Sequence, residues 1–143
     1  MDRKNFISSV GMSVVAVCTG CLAACSKSGS NSGTTGGATA PTGFSFTTDL
    51  GSELINIGNS KVSNGVIVVR IASGSDPASF TAVQVACTHQ GTSINYNSGQ
   101  GQFVCPNHGS VFSTSGSVVQ GPASRSLTKY TVSITGNTLI VNG

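Results

Sequence analysis

Two short segments, CTHQG at Cys87–Gly91 and CPNHGS at Cys105–Ser110, each carry one cysteine and one histidine, with 15 residues between His89 and Cys105. They contain both of the chain's histidines. Four potential metal donors within 22 residues, in a chain otherwise poor in both types, point to one inorganic centre rather than to unrelated core cysteines and surface histidines. Cys87 and His89 are two apart, so on a strand they would share one face, and Gly91 then allows a tight turn. Pro106 and Gly109 force Cys105 to His108 out of regular strand structure and into a loop. Two cysteines and two histidines satisfy a tetrahedral structural zinc site, which would make the protein a metal-stapled binding or structural module. Common zinc patterns, however, group cysteine with cysteine and histidine with histidine, whereas this chain supplies CxH and then CxxH.

The elements that must position these residues have a β signature. Only 8% of the 143 residues are charged and 38% are hydrophobic, with Ser, Thr, Asn and Gly filling much of the rest, which favours short strands and tight turns. From Phe44 onward, apolar and polar residues alternate in FSFTT, LINIG, VIVVRIA, FTAVQVAC, QFVC, LTKYTVSIT and TLIVN. A period of two marks strands with one buried face. Turn signals separate them at Ser63–Gly65, Ser73–Pro77, Asn97–Gly101 and Thr135–Asn137. No stretch has the pattern of a long amphipathic helix. The expected fold is all-β, antiparallel sheets packed as a small sandwich or barrel, with FTAVQVAC feeding the first donor segment and QFVC the second.

Residues 1–24 carry a short basic start and then a mainly apolar run from Val10 to Ala24, the grammar of an export signal. LAAC at Leu22–Cys25 resembles the lipobox of bacterial lipoproteins, which implies cleavage before Cys25 and its lipidation. RKNFI at Arg3–Ile7 resembles a twin-arginine signal in which Lys4 stands where the second arginine belongs. Cys18 and Cys21 form a CxxC inside the apolar run and leave with it, so Cys87 and Cys105 alone remain for the folded part. Residues 25–43 follow as a Gly/Ser/Thr-rich tether, too polar to offset its ordering entropy. The 18 residues after Cys25 would span about 23 Å as a random coil at ~5–6 Å per square root of residue number. Residues 44–143 form the domain. After loss of residues 1–24, five basic residues stand against three acidic ones. Neither a basic stripe nor an aromatic platform supports a nucleic-acid partner.

CTHQG, CPNHGSVFSTSG, GPAS at Gly121–Ser124 and the closing LTKYTV and NTLIVNG together resemble a Rieske domain across most of Phe44–Gly143. The resemblance implies a Rieske-like antiparallel β sandwich or barrel with a small cluster-binding subdomain. It also implies one [2Fe–2S] cluster per chain, with Cys87 and Cys105 on one iron and His89 and His108 on the other. A proline loop at Gly121 and Pro122 would cover the cluster. High-potential respiratory members bridge the two loops with a disulfide, and Thr92 and Asn107 occupy the matching positions here. Ser110 keeps a hydroxyl that donates toward a sulfide in such proteins, while Phe112 replaces a tyrosine that approaches a cysteine sulfur. One donor kept and one lost implies a potential on the order of +50 to +200 mV, within the Rieske range.

The function implied is membrane-tethered electron transfer to and from a redox protein or a quinol- or cytochrome-type partner. The location implied is an exported one, at the periplasmic or cell-envelope face, anchored through lipidated Cys25. A Rieske ferredoxin-like subunit of a larger oxidoreductase is the related alternative. No further histidine is available for the two-histidine, one-carboxylate iron site of a Rieske oxygenase, so no catalytic residue is assigned.

Overall fold

The computed structural model describes residues 38–143. The expected export signal with Cys18 and Cys21, the lipidation site Cys25 and the tether as far as residue 37 lie outside the described residues. Ten strands follow in order: β1 (Ser45–Asp49), β2 (Ser60–Ser63), β3 (Val66–Arg70), β4 (Phe80–Gln84), β5 (Asn95–Asn97), β6 (Gln102–Val104), β7 (Val111–Ser113), β8 (Val118–Gln120), β9 (Thr131–Thr135) and β10 (Thr138–Asn142). One 3-10 turn, Pro77–Ser79, precedes β4, capped by Asp76, whose carboxylate accepts from the Ser79 N–H at 3.0 Å. No α-helix occurs among the described residues.

The strands form three antiparallel sheets, ordered β1-β10-β9, β2-β3-β4 and β5-β6-β7-β8. The β2–β3 hairpin turns on Asn64 and Gly65, at φ 50 and 76, the paired positive values that let an Asn-Gly turn follow the strand twist. Strand β3 shows why the layers stack as they do. Its residues Val66 to Val69 are all buried, at 0–3% exposure. Val66 and Val68 join Leu139 and Val141 of β10 in one core, while Ile67 and Val69 join Phe103 and Phe112 of the four-stranded sheet in another. The middle strand is therefore covered on both faces, where the alternation of VIVVRIA predicts one. A continuous apolar run is what such a strand requires, and each side chain buried this way contributes about 1.5–3 kcal/mol.

LINIG, expected as a strand, is a loop instead. Leu54 is buried but Ile55 and Ile57 are each 54% exposed. The backbone there finds side-chain partners in place of a ladder: the Arg70 guanidinium donates to the Leu54 carbonyl at 2.8 Å, and the Asn59 carboxamide accepts from the Asn56 N–H at 2.8 Å. The end of the expected tether also differs. Tyr130 Oη donates to the Pro41 carbonyl at 2.8 Å, and the Gly43 N–H donates to the Gly143 carbonyl at 2.8 Å. The backbone of 41–43 is thus engaged with the domain, because apolar Pro41 and paired backbone groups offset the entropy of ordering it.

Candidate metal centre

Strand β4 leaves its ladder with β3 at Gln84, and the chain then turns to bridge Ala86 to Ser93. Between these points the first donor loop closes on itself. The Cys87 N–H donates to the Thr92 carbonyl at 2.8 Å, and the Gly91 N–H donates to the Cys87 carbonyl at 2.8 Å. The second loop joins β6 to β7 and repeats the closure. The Cys105 N–H donates to the Ser110 carbonyl at 2.8 Å, and the Gly109 N–H donates to the Cys105 carbonyl at 3.0 Å. Gly91 and Gly109 sit at φ 78 and 75, a left-handed conformation that a Cβ disfavours. The shared spacing of glycine four residues after cysteine is visible in the sequence, and it is what makes the two loops local copies of one device.

Loop closure sorts the donors by depth. Cys87 and Cys105 are 0% and 2% exposed, and neither forms a disulfide. His89 is partly buried and His108 exposed. The two imidazoles meet edge to face, with centroids 4.9 Å apart and Nδ1 atoms 3.2 Å apart. Without an ion, one tautomer lets a single N–H hold the pair. Two nitrogens at ~2.1 Å from one tetrahedral ion stand ~3.4 Å apart, so the observed spacing also suits both lone pairs facing one metal.

The thiols show the same fit in their electrostatics. Burial pushes the Cys87 thiol up, the neighbouring Cys105 sulfur pushes it further, and the His89 backbone N–H and the Ser110 hydroxyl pull it back. A buried thiol beside a second sulfur resists ionisation unless positive charge lies close to it, which a metal centre supplies. Among the described residues, no group of three or more His, Cys, Asp or Glu side chains is arranged to hold one ion. The donors fall into a thiol pair and an imidazole pair, a division that suits two metal atoms.

The structure places the other expected residues as follows. Ser110 is fully buried, and its Oγ accepts from the Ala123 N–H at 3.0 Å while its proton is free for Cys87. Phe112 lies in the same core as both cysteines. Gly121 and Pro122, joined by a cis peptide, are exposed at the head of the segment that Ala123 ties to Ser110. Sequence reasoning passed over Gln84, Thr88 and Gln120. Thr88 Oγ1 donates to the Arg125 carbonyl at 2.5 Å, and Gln120 Nε2 donates to the Gly109 carbonyl at 3.1 Å. The one available signal was Gln84 itself, a long polar side chain inside an otherwise apolar or hydroxyl-bearing run.

Comparison with known proteins agrees with this geometry. The family model described as Rieske [2Fe-2S] domain matches residues 53–131, which include both donor loops and the Gly121–Pro122 segment. The cytochrome b6-f complex iron-sulfur subunit of Synechococcus sp. (strain CC9605) is 38% identical over 72 residues, 50% of this chain and 40% of that protein. The same-named subunit of Chlorobaculum thiosulfatiphilum is 33% identical over 63 residues, 44% of this chain and 35% of that protein. The chain thus matches well under half the length of these curated relatives. Among solved structures, the plasma membrane Rieske protein PetC3 from Synechocystis PCC 6803 aligns with a TM-score of 0.51 at 33% identity, covering 59% of this chain and 85% of that one. The ferredoxin of carbazole 1,9a-dioxygenase from Nocardioides aromaticivorans IC177 shares the fold, with a TM-score of 0.55 at 19% identity over 73% of this chain and 98% of that one. With the family match running through both loops on an antiparallel fold of the same architecture, the chain belongs to the Rieske [2Fe–2S] domain family.

Proposed function

We propose that this protein is a one-electron carrier holding one [2Fe–2S] cluster per chain, with Cys87 and Cys105 as ligands of the inner iron and His89 and His108 as ligands of the outer one. The observation that carries the proposal is the division of the donors: two buried thiols, and two imidazole Nδ1 atoms 3.2 Å apart nearer the surface. Against a single zinc stand the mixed order CxH then CxxH and the match to the Rieske [2Fe-2S] domain model across both loops. When bound, the cluster supplies reversible one-electron chemistry at a potential raised by replacing two thiolates with neutral imidazoles. The protein residues do the rest. Cys87 and Cys105 exclude water by their burial, Ser110 offers a hydrogen bond to sulfur, and His108 is the donor that a partner reaches first.

The partner is a redox protein or a quinol- or cytochrome-type system, and the domain is held at the outer face of a membrane through lipidated Cys25. Support comes from the export and lipobox grammar of residues 1–25 and from relatives named as cytochrome b6-f subunits and a plasma membrane Rieske protein. No helix among the described residues is long and apolar enough to cross a membrane. Iron and acid-labile sulfide analysis of the purified protein, with EPR of its reduced form, tests the cluster. Two irons and two sulfides per chain are expected, and a colourless zinc-containing protein would refute the proposal. Mass spectrometry of the envelope-extracted protein tests the anchor, which predicts a diacylated N-terminal Cys25.

A further inference from the structure

The segment from Ala123 to Tyr130 is hydrogen-bonded to both donor loops and along most of its length. After the Ala123–Ser110 and Arg125–Thr88 bonds, the Leu127 N–H donates to the Gly116 carbonyl at 2.8 Å and the Tyr130 N–H to the Ala82 carbonyl at 2.9 Å. Between these lies a double tie. The Gln84 N–H donates to the Thr128 carbonyl at 2.9 Å, and Gln84 Oε1 accepts from the Thr128 N–H at 2.9 Å. The same carboxamide has a second use, because its Nε2 donates to the Ala86 carbonyl at 2.8 Å. That carbonyl belongs to the peptide whose nitrogen is Cys87's own.

Gln84 is 2% exposed, and β4 ends at it. Val85 then passes directly from one partner to the next, its N–H donating to the Gly65 carbonyl and its carbonyl accepting from the Ile94 N–H, both at 2.9 Å, whereas the Ala86 carbonyl receives no backbone N–H among the described residues and takes its donor from the Gln84 carboxamide. A neutral carboxamide can donate and accept at once from one plane, which a hydroxyl or an apolar side chain of similar length cannot do in this span. Gln84, Thr88 and Thr128 also line a cleft of about 240 Å³ together with Ala38–Ala40 and Arg125.

We infer that Gln84 is a positioning residue for the metal centre: it fixes the last peptide before Cys87 and, through the same carboxamide, locks the strap that is hydrogen-bonded to both donor loops. The inference rests on the four-donor assignment above and adds a residue that touches none of the donors' side chains. Two near-isosteric variants separate its two bonds. Gln84→Met removes both, whereas Gln84→Glu keeps an acceptor for the Thr128 N–H and loses the donor to Ala86.

The test uses the purified holoprotein. Release of iron to a chelator is followed by visible absorbance, the reduced cluster by EPR, and backbone protection by hydrogen exchange with mass spectrometry. Gln84→Met is expected to release iron about tenfold faster than the unaltered protein and to broaden the EPR signal. Gln84→Glu should match that release rate while keeping Thr128 protected. Wild-type release and an unchanged signal in either variant would overturn the inference. If Gln84→Met fails to fold, Gln84→Glu and exchange in the unaltered protein decide. There the peptides around Cys87 and Thr128 should open as one event, and independent opening would count against the inference. Absence of iron and sulfide from the unaltered protein would instead defeat the cluster assignment, so the two failures are distinguishable.

Discussion

His108 and Ser110 stand one residue either side of Gly109 yet act at opposite ends of the centre. His108 is exposed and pairs its Nδ1 with that of His89, so under the proposed ligation its replacement by cysteine would add negative charge at the outer iron while leaving the buried thiols in place. His108→Cys should therefore retain a cluster while its potential falls by on the order of 100–300 mV, part of the gap between Rieske and four-cysteine centres. Protein-film voltammetry measures this, and an unchanged potential would show that His108 is not a ligand. Ser110 works from inside, fully buried, with its proton available to Cys87. A hydrogen bond to a charged acceptor contributes ~1.5–3 kcal/mol, and 59 mV corresponds to a tenfold change for one electron, so Ser110→Ala should lower the potential by up to ~130 mV. The same variant frees the Ala123 N–H, and its segment should become more accessible to exchange.

The elements that carry these residues are two copies of one closed loop, each depending on a glycine rather than on a covalent bridge. A Cβ at Gly109 would meet nothing within 4 Å, and one at Gly91 only the Ala38 methyl at 3.6 Å. Space is thus available, and the penalty of alanine at either place is conformational alone, about 1–2 kcal/mol for a left-handed residue. Gly91→Ala and Gly109→Ala should each lower stability by that amount in denaturant unfolding of the holoprotein, without a change in EPR signal type. A loss several times larger would show that the loops also need room that the glycines provide. Much of this was legible beforehand: the spacing of cysteine, histidine and glycine lies in eleven residues, CTHQG and CPNHGS. Strands β2, β5, β7 and β8 were not, because runs of three or four residues seldom display a period, although β6 was caught in QFVC, and LINIG misled because its alternation was real while its backbone was satisfied by Arg70 and Asn59.

At the scale of the whole molecule, small polar ties join layers whose main adhesion is apolar. Glu53 accepts from Thr48 of β1 and forms an ion pair with Lys61 of β2 at 2.7 Å, linking two sheets. The hydrogen bond from Lys61 is the main reason that the Glu53 carboxyl titrates at about 2 rather than 4.5. Because its folded pKa is depressed, the stabilisation is complete above about 4.5 and is lost as pH falls through 2. Lys61→Met should therefore narrow its stability gap from the unaltered protein as pH drops across that window, as measured by thermal melts at pH 5, 4 and 3. A gap independent of pH would assign Lys61 to packing. A second tie holds the entering chain. Tyr130→Phe removes the donor to Pro41 and should cost about 0.5–1.5 kcal/mol, with increased exchange confined to residues 38–43.

The sequence by itself determined the chemistry. Which atoms can bind metal, how cysteine, histidine and glycine are spaced, and that the strands have period two are properties of covalent neighbours, and neighbours are what a sequence records. The tertiary structure decided which faces are covered and what ties the loops down. β3 is buried twice because one sheet packs on each side of it, and Gln84 is an interior clamp because Thr128, 44 residues away, is brought against it. Burial and hydrogen-bond partnership depend on the distant chain that arrives, so no local pattern could have announced them.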